Sequence, residues 1–193
     1  MDATRARILR AARDVVVANG YHSAALERVA HGSGVTRITV YRQFGSKRGL
    51  LEALTDDLAA RSDVVAHVEA ARAIPDAIGA LTALVHSLAQ LWATDPALLR
   101  RLVGLAAVDP DAAAIISGRE HWRHERVQAF TERLVEAHRI RSPFDRVTAT
   151  ASIEAVTAFS TCDALAEQAG LPHDRLGELL LALLRSVVEF RSS

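Results

Sequence analysis

The 193-residue sequence holds a single cysteine, Cys162, so no disulfide forms within the chain, and a cytoplasmic setting is expected. Lone on an alanine-lined stripe, Cys162 reads as core packing. Aromatic residues make up only 5% of the chain, and no segment sustains the alternation that marks a strand. The opening Met1-Asp2-Ala3-Thr4-Arg5 has no apolar run behind it, so no signal peptide is expected. The longest stretch without a charge, Ala77 to Thr94, is interrupted by Thr82, His86, Ser87 and Gln90. Its length is marginal for a bilayer, and it reads as a buried helix with no membrane partner. Gly32-Ser33-Gly34 lacks the lysine and the preceding strand of a phosphate-cradling loop, and no nucleophile elbow occurs. His121 and Glu125 have the i, i+4 spacing of a metal pair beside His124, but Arg119, Arg123 and Arg126 interleave with them and would repel a cation. That segment reads as a solvated face. No metal, cofactor or enzymatic activity is expected.

What is present favours helix. Half the residues are hydrophobic, alanine and leucine recur, and apolar positions repeat at helical spacing almost throughout. A first helix is predicted over about 2–19, with Ile8, Ala12, Val15 and Val16 on one face and Asn19-Gly20 as its end. A short helix over 26–33 follows, with Leu26, Val29 and Ala30 inward. Gly34 then makes a turn, and Thr36 caps a third helix reaching Gln43. Ser46 caps a fourth, striped by Leu51, Leu54, Leu58 and Val65, which runs unbroken to about Arg72 before Ile74-Pro75. Five further helices are predicted over about 75–93, 96–107, 110–139, 144–169 and 173–191. The fold class is therefore all-α. Three small helices over 1–48 form one domain, and a helical bundle over 49–193 forms the other.

Charge is uneven along this chain of zero net charge. Residues 1–50 carry nine basic and three acidic side chains, and the remainder carries the opposite surplus. A basic head on an acidic body suits a segment that meets nucleic acid. Helix, turn at Gly34 and helix over Leu26–Gln43 have the spacing of a helix-turn-helix, whose second helix enters the major groove. Thr36 at the helix start offers a hydroxyl and free backbone N–H groups to a phosphate. Arg37 and Arg42 can reach guanine edges or phosphates, and Tyr41 can donate to a phosphate. Lys47, the only lysine, sits in a first helical turn, where the helix dipole disfavours it unless an anion arrives from outside. The same residues would also suit an ordinary solvated face.

The residues go further than spacing. Ile8-Leu9 with Ala11-Ala12, Asn19-Gly20-Tyr21, Val29-Ala30, Gly34-Val35-Thr36 and Tyr41-Arg42-Gln43-Phe44-Gly45-Ser46-Lys47 with Leu50-Leu51 resemble, in order and spacing, the N-terminal domain of the TetR repressor family. The resemblance covers about residues 5–55. It implies nine helices, a homodimer built on the last two, and repression of a DNA operator relieved by a small ligand. By position it makes Thr36, Tyr41 and Lys47 phosphate clamps, and Arg37, Ile38, Thr39 and Arg42 groove-facing candidates. Gln43, where His is frequent, can still donate to phosphate. Ala25 stands where a hydroxyl often touches phosphate, so that contact is lost or moves to Ser23. Ile38 replaces a frequent Gly and could favour a thymine methyl. Gly32 and Ser33 loosen the end of the second helix.

In the body, the helix over 144–169 has one stripe through Ala151, Ala155, Ala158 and Cys162 and a second through Ile153, Val156 and Phe159. The last helix is apolar on more than one face through Leu180, Leu183 and Val187. A helix apolar on two faces is buried on two, and the second face is expected to meet another subunit. His86, Gln90, Trp92, Trp122 and Phe159 are the candidate lining of a mostly apolar effector pocket. Two functions follow: a ligand-released homodimeric repressor of a palindromic operator, or a DNA-binding regulator of the same fold without a small-molecule inducer.

Overall fold

In a computed structural model that describes residues 3–21 and 25–190, regular structure begins with α1 (Ala3–Asn19), α2 (Ala25–Ser33) and α3 (Arg37–Phe44). Next come α4 (Lys47–Ser62), α5 (Val64–Ala73), α6 (Ala77–Thr94), α7 (Pro96–Ala106) and α8 (Pro110–Glu136). The chain closes with α9 (Arg146–Thr157), α10 (Phe159–Ala169), a 3₁₀ turn (His173–Arg175) and α11 (Leu176–Leu184). Among the described residues the only extended pairing is an isolated antiparallel bridge, Ile140 with Val188. The all-α expectation holds; the helix number is eleven rather than about nine because two predicted helices are each divided.

The first division falls at Asp63, whose φ of 51° is left-handed. Asp tolerates that conformation better than most residues. The fourth helix therefore stops at Ser62 and does not run to Arg72. The break also turns the stripe: Val64 and Val68 are buried, while Val65 is exposed.

The second division falls at Ala158, which is extended (ψ 146°) between α9 and α10. No local signal marks it, but the tertiary surroundings do. A helix leaves its last four carbonyls without internal partners. Here each of the four accepts from a side chain. Arg123 Nη1 reaches Glu154 O (3.1 Å), Thr161 Oγ1 reaches Ala155 O (2.6 Å), and Trp92 Nε1 reaches Thr157 O (2.9 Å). Cys162 Sγ lies 3.9 Å from Val156 O as a weak donor. Two shorter corrections concern ends. The 110–139 helix stops at Glu136, with His138 left-handed. The last helix stops at Leu184, after which Arg141 N donates to Val187 O (2.9 Å) and Glu189 N to Arg139 O (2.8 Å).

Two compact units emerge: residues 1–61 with 95–119, and residues 62–94 with 120–193. The first groups more chain with the reader than residues 1–48, because α7 and the first turns of α8 share its core. That core joins Ile8, Ala12 and Val16 of α1 to Val29, Val40, Leu50 and Leu54, and to Leu98, Leu102 and Ile115. In the second unit α6 is apolar and long enough to cross a membrane by composition, and half its residues are buried. Its Trp92 meets Phe159 edge to face (5.7 Å), and Phe159 stacks on His173 (6.5 Å).

Candidate nucleic-acid interface

The helix-turn-helix begins with α2, which reaches its predicted end. Ser33 is buried and donates back to Val29 O (2.6 Å), which holds the last turn despite Gly32. Gly34 turns the chain with φ 64°. Thr36 caps α3 by accepting from Thr39 N (3.2 Å), and its hydroxyl lies 3.0 Å from that of Thr39. Gly45 ends α3 with φ 72°, a conformation costly for residues with a Cβ. Ser46 Oγ then accepts from Gly49 N (2.9 Å) and starts α4. Gly49 was not singled out in the sequence, yet a Cβ there would stand 2.1 Å from the Phe44 carbonyl oxygen. Its bareness lets the end of α3 lie against the start of α4, and so places Lys47 beside the reader.

α3 is sharply two-sided. Val40 and Phe44 are buried, and Arg5 packs its guanidinium on the Phe44 ring (4.5 Å) while donating to Gln43 O (3.2 Å). The outer face carries Thr36, Arg37, Tyr41 and Arg42, all exposed, and Ile38, which is 71% exposed. Thr39 and Gln43 are half-buried at its margins. Among the described residues, a bulky aliphatic side chain this open is not packed into the core. Seven of the eight DNA-contact candidates thus lie on one helix and its cap, with Lys47 at the start of the next. The Ser23 alternative lies outside the described residues.

Two of these side chains, Arg37 and Lys47, are paired with carboxylates. Arg37 donates to Glu27 Oε1 (2.7 Å) and to the Tyr41 hydroxyl (3.4 Å), its guanidinium 5.5 Å from the Tyr41 ring centre. Lys47 Nζ pairs with Asp109 (3.1 Å) and sits 4.7 Å from the Tyr21 ring centre. Lys47 was expected to need an external anion; Asp109 supplies one from within the chain. Asp109 also caps α8 through the N–H groups of Asp111 and Ala112 (3.0 and 3.1 Å). The Ala112 N–H and then Lys47 hold its carboxyl below the usual carboxylate range. Burial pushes the Tyr21 phenol up, and its hydroxyl donates to Lys47 O (2.9 Å).

Behind the reader lies a cleft of about 490 Å³ that the sequence reading did not anticipate. Arg10, Arg13, Asp14, Asp57, Arg61 and Asp95 line it, with Ala6 and Leu9. Asp95 takes both Arg13 contacts (Nε 2.9 Å, Nη2 3.0 Å) and the Leu98 N–H (3.2 Å). Burial opposes its charge, but these donors and Arg61 outweigh it and lower its pKa. The visible signals were only the Asp95-Pro96 cap and the i, i+4 pair Asp57–Arg61.

The family described as bacterial regulatory proteins, tetR family, matches residues 8–54. That span runs from the first core residues of α1 through α3 and Lys47 into α4.

Over these residues the chain is similar to that family.

Among curated proteins it is similar to the HTH-type transcriptional regulator UidR of Escherichia coli, at 39% identity over 51 residues, 26% of each chain. It is also similar to the HTH-type transcriptional regulator AlkX of Mycobacterium tuberculosis, at 29% identity over 119 residues, 58% of this chain and 56% of that one. The match to the E. coli relative spans about a quarter of that protein's length. Solved structures agree in fold over nearly the whole chain. The TetR family regulator PfmR of Thermus thermophilus aligns with TM-score 0.72 at 19% identity, covering 93% of this chain and 97% of that one. A Saccharomonospora viridis structure in complex with choline aligns with TM-score 0.70 at 18% identity, covering 96% and 97%.

The candidate effector residues are scattered within the second unit. Trp92 and Phe159 touch each other and are buried. His86 lies 3.4 Å from Glu178, Gln90 is exposed, and Trp122 is half-buried beneath the Arg126 guanidinium (5.2 Å). The candidate dimer residues also separate. Ala151, Ala155 and Leu183 are exposed, whereas Leu180 and Val187 are buried inside the chain. Ala158 is at the α9–α10 break rather than on a continuous helical stripe. Val147, 62% exposed on α9, joins the outward set.

Proposed function

We propose that this chain is a TetR-family, cytoplasmic, homodimeric repressor that binds a palindromic DNA operator and releases it on meeting a small, largely apolar ligand. The observation that carries the reading is the outer face of α3. It presents Arg37, Ile38, Tyr41 and Arg42 to solvent beside Thr36 and Lys47, with no acid in its first turn. One such helix contacts only a few base pairs, so specificity needs two copies on half-sites about one helical turn or more apart. The reader, in this proposal, is residues 1–48. Its support from α7 and the start of α8 gives an effector a handle, since whatever moves the Asp109 cap also moves the partner of Lys47.

The dimer surface proposed is the exposed set Val147, Ala151, Ala155 and Leu183, small and apolar residues that let two copies approach closely. The effector proposed binds near the uncharged α6, with His86, Gln90 and Trp122 as polar or aromatic handles. Useful release requires about 100-fold better binding to the non-binding conformation, roughly 2.7 kcal/mol. The test is site selection from random duplex DNA followed by titration of the complex with apolar, anionic and cationic small molecules. An inverted repeat released by an apolar compound supports the reading. Release by none supports a regulator without an inducer, and selection of no sequence removes the reader assignment. Arg37→Ala is expected to weaken operator binding by roughly 1–3 kcal/mol and relax one position of each half-site.

A further inference from the structure

The acid beside the reader is unexpected. Glu27 is exposed on α2, ten residues before Arg37, and its carboxylate takes Arg37 Nη1 at 2.7 Å. On the other side Arg37 Nη2 meets the Tyr41 hydroxyl at 3.4 Å. A carboxylate near approaching phosphates weakens sequence-independent binding, since it repels the DNA backbone. Nor does it add much stability where it stands, because both partners are more than half exposed and water screens the pair. What it does is geometric. Arg37 is long and flexible, and a base contact needs its planar fork in one orientation. Glu27 from one helix and Tyr41 from the next turn of α3 fix that plane from two sides. The guanidinium has more N–H donors than these two contacts use, so the outward ones stay available. Ordering a side chain before binding lowers the entropy lost when the contact forms.

We infer that Glu27 is a specificity-determining positioning residue: it aims Arg37 at a guanine edge and, by its charge, penalises binding to DNA that offers no such edge. The inference rests on the DNA-reading function proposed above. The Glu27–Arg37 pair couples α2 to α3, so the helix outside the groove takes part in base discrimination without touching a base.

The test starts from the duplex selected by the wild-type protein. Affinities of wild type, Glu27→Ala, Glu27→Gln and the Arg37→Ala background of each are measured on that duplex, on every single base-pair change, and on a scrambled duplex. Glu27→Ala is expected to bind scrambled DNA several-fold more tightly, having lost a repelling charge. It is expected to lose about tenfold of its preference at one base pair per half-site. Glu27→Gln, which still accepts the hydrogen bond, should keep most of that preference. In the Arg37→Ala background, removing Glu27 should leave base preference unchanged. Equal tightening on operator and scrambled DNA, with every base preference intact, overturns the inference while leaving the DNA-reading function standing. A wild-type protein that selects no sequence overturns both. The exposed position of Glu27 keeps these variants folded, which their helical circular dichroism checks.

Discussion

α3 and α9 end in opposite ways. α3 begins on Thr36 and stops on Gly45, residues adjacent to it whose chemistry would do the same in many chains. α9 begins just as locally, with a reciprocal capping box between Asp145 and Thr148. Its end, however, is held in part by Trp92 from α6 and Arg123 from α8, 65 and 31 residues from the carbonyls they meet. α5 also ends on distant donors: Arg133 reaches the carbonyls of Arg72 (3.2 Å), Ile74 and Pro75 (3.1 Å). The unit that carries the reader has mostly local boundaries, with Asp95 and Asp109 capping α7 and α8. Arg5 on Gln43 O and Arg101 on Val17 O (3.0 Å) add distant support there. A reader needs one helix presented in a fixed shape. A body shaped by distant contacts can be reshaped when those contacts change, which suits a unit proposed to answer a ligand.

The sharpest way to break this contrast is at Trp92. Trp92→Ala should cost about 3–5 kcal/mol, since it opens a cavity and strips the partner from Thr157 O. Trp92→Phe keeps most of the bulk and should still cost about 1–3 kcal/mol for the orphaned carbonyl. Urea unfolding measures both. A Trp92→Phe protein as stable as wild type would mean that the α9–α10 break is set locally after all.

Asp95 tests the local side. Asp95→Ala removes the α7 cap and the partner of Arg13, and should cost roughly 1–3 kcal/mol. The folded pKa of Asp95 is lowered, so its contribution is fully present above the ordinary carboxylate value and is lost as pH falls through the folded pKa. Wild-type stability should therefore fall below about pH 4, and more gently in Asp95→Ala. Parallel acid limbs in chemical-denaturation series would remove Asp95 from that account.

Thr36→Ala should cost about 1 kcal/mol of stability by losing the α3 cap. If Thr36 clamps a phosphate, the substitution should also weaken binding to all DNA sequences alike, since a phosphate contact carries no base information. Smallest is Asp109→Asn. Freeing Lys47 should tighten DNA binding a few-fold regardless of sequence and steepen the salt dependence, by fluorescence anisotropy across a salt series. Unchanged affinity would remove Lys47 from the DNA contacts.

Much of the reader was legible because its signals are short-range. Helical spacing placed α1 to α3, Gly34 and Thr36 marked the turn and cap, and Tyr41 through Lys47 carried the family resemblance. Gly49 and Glu27 were not legible: one matters for the approach of a backbone carbonyl, the other for a partner on the next helix. In the body, the starts predicted at 96 and 110 coincide with those of α7 and α8. The Ala158 break and the ends of α8 and α11 were missed, since the alanines and leucines around these points favour helix and carry no stop signal. Leu180 and Leu183 look alike in sequence, yet Leu180 is fully buried and Leu183 is exposed.

By itself, then, the sequence determined that this is a helical protein with a basic, two-sided reader helix near its N-terminus, because helix periodicity, caps and turns act over only a few residues. The tertiary structure alone decided where α4, α8, α9 and α11 stop, which leucines remain outward, and that Lys47 and Arg37 are each held by a carboxylate. Those outcomes depend on which distant donors and charges fold into reach of one another, and no spacing along the chain records that.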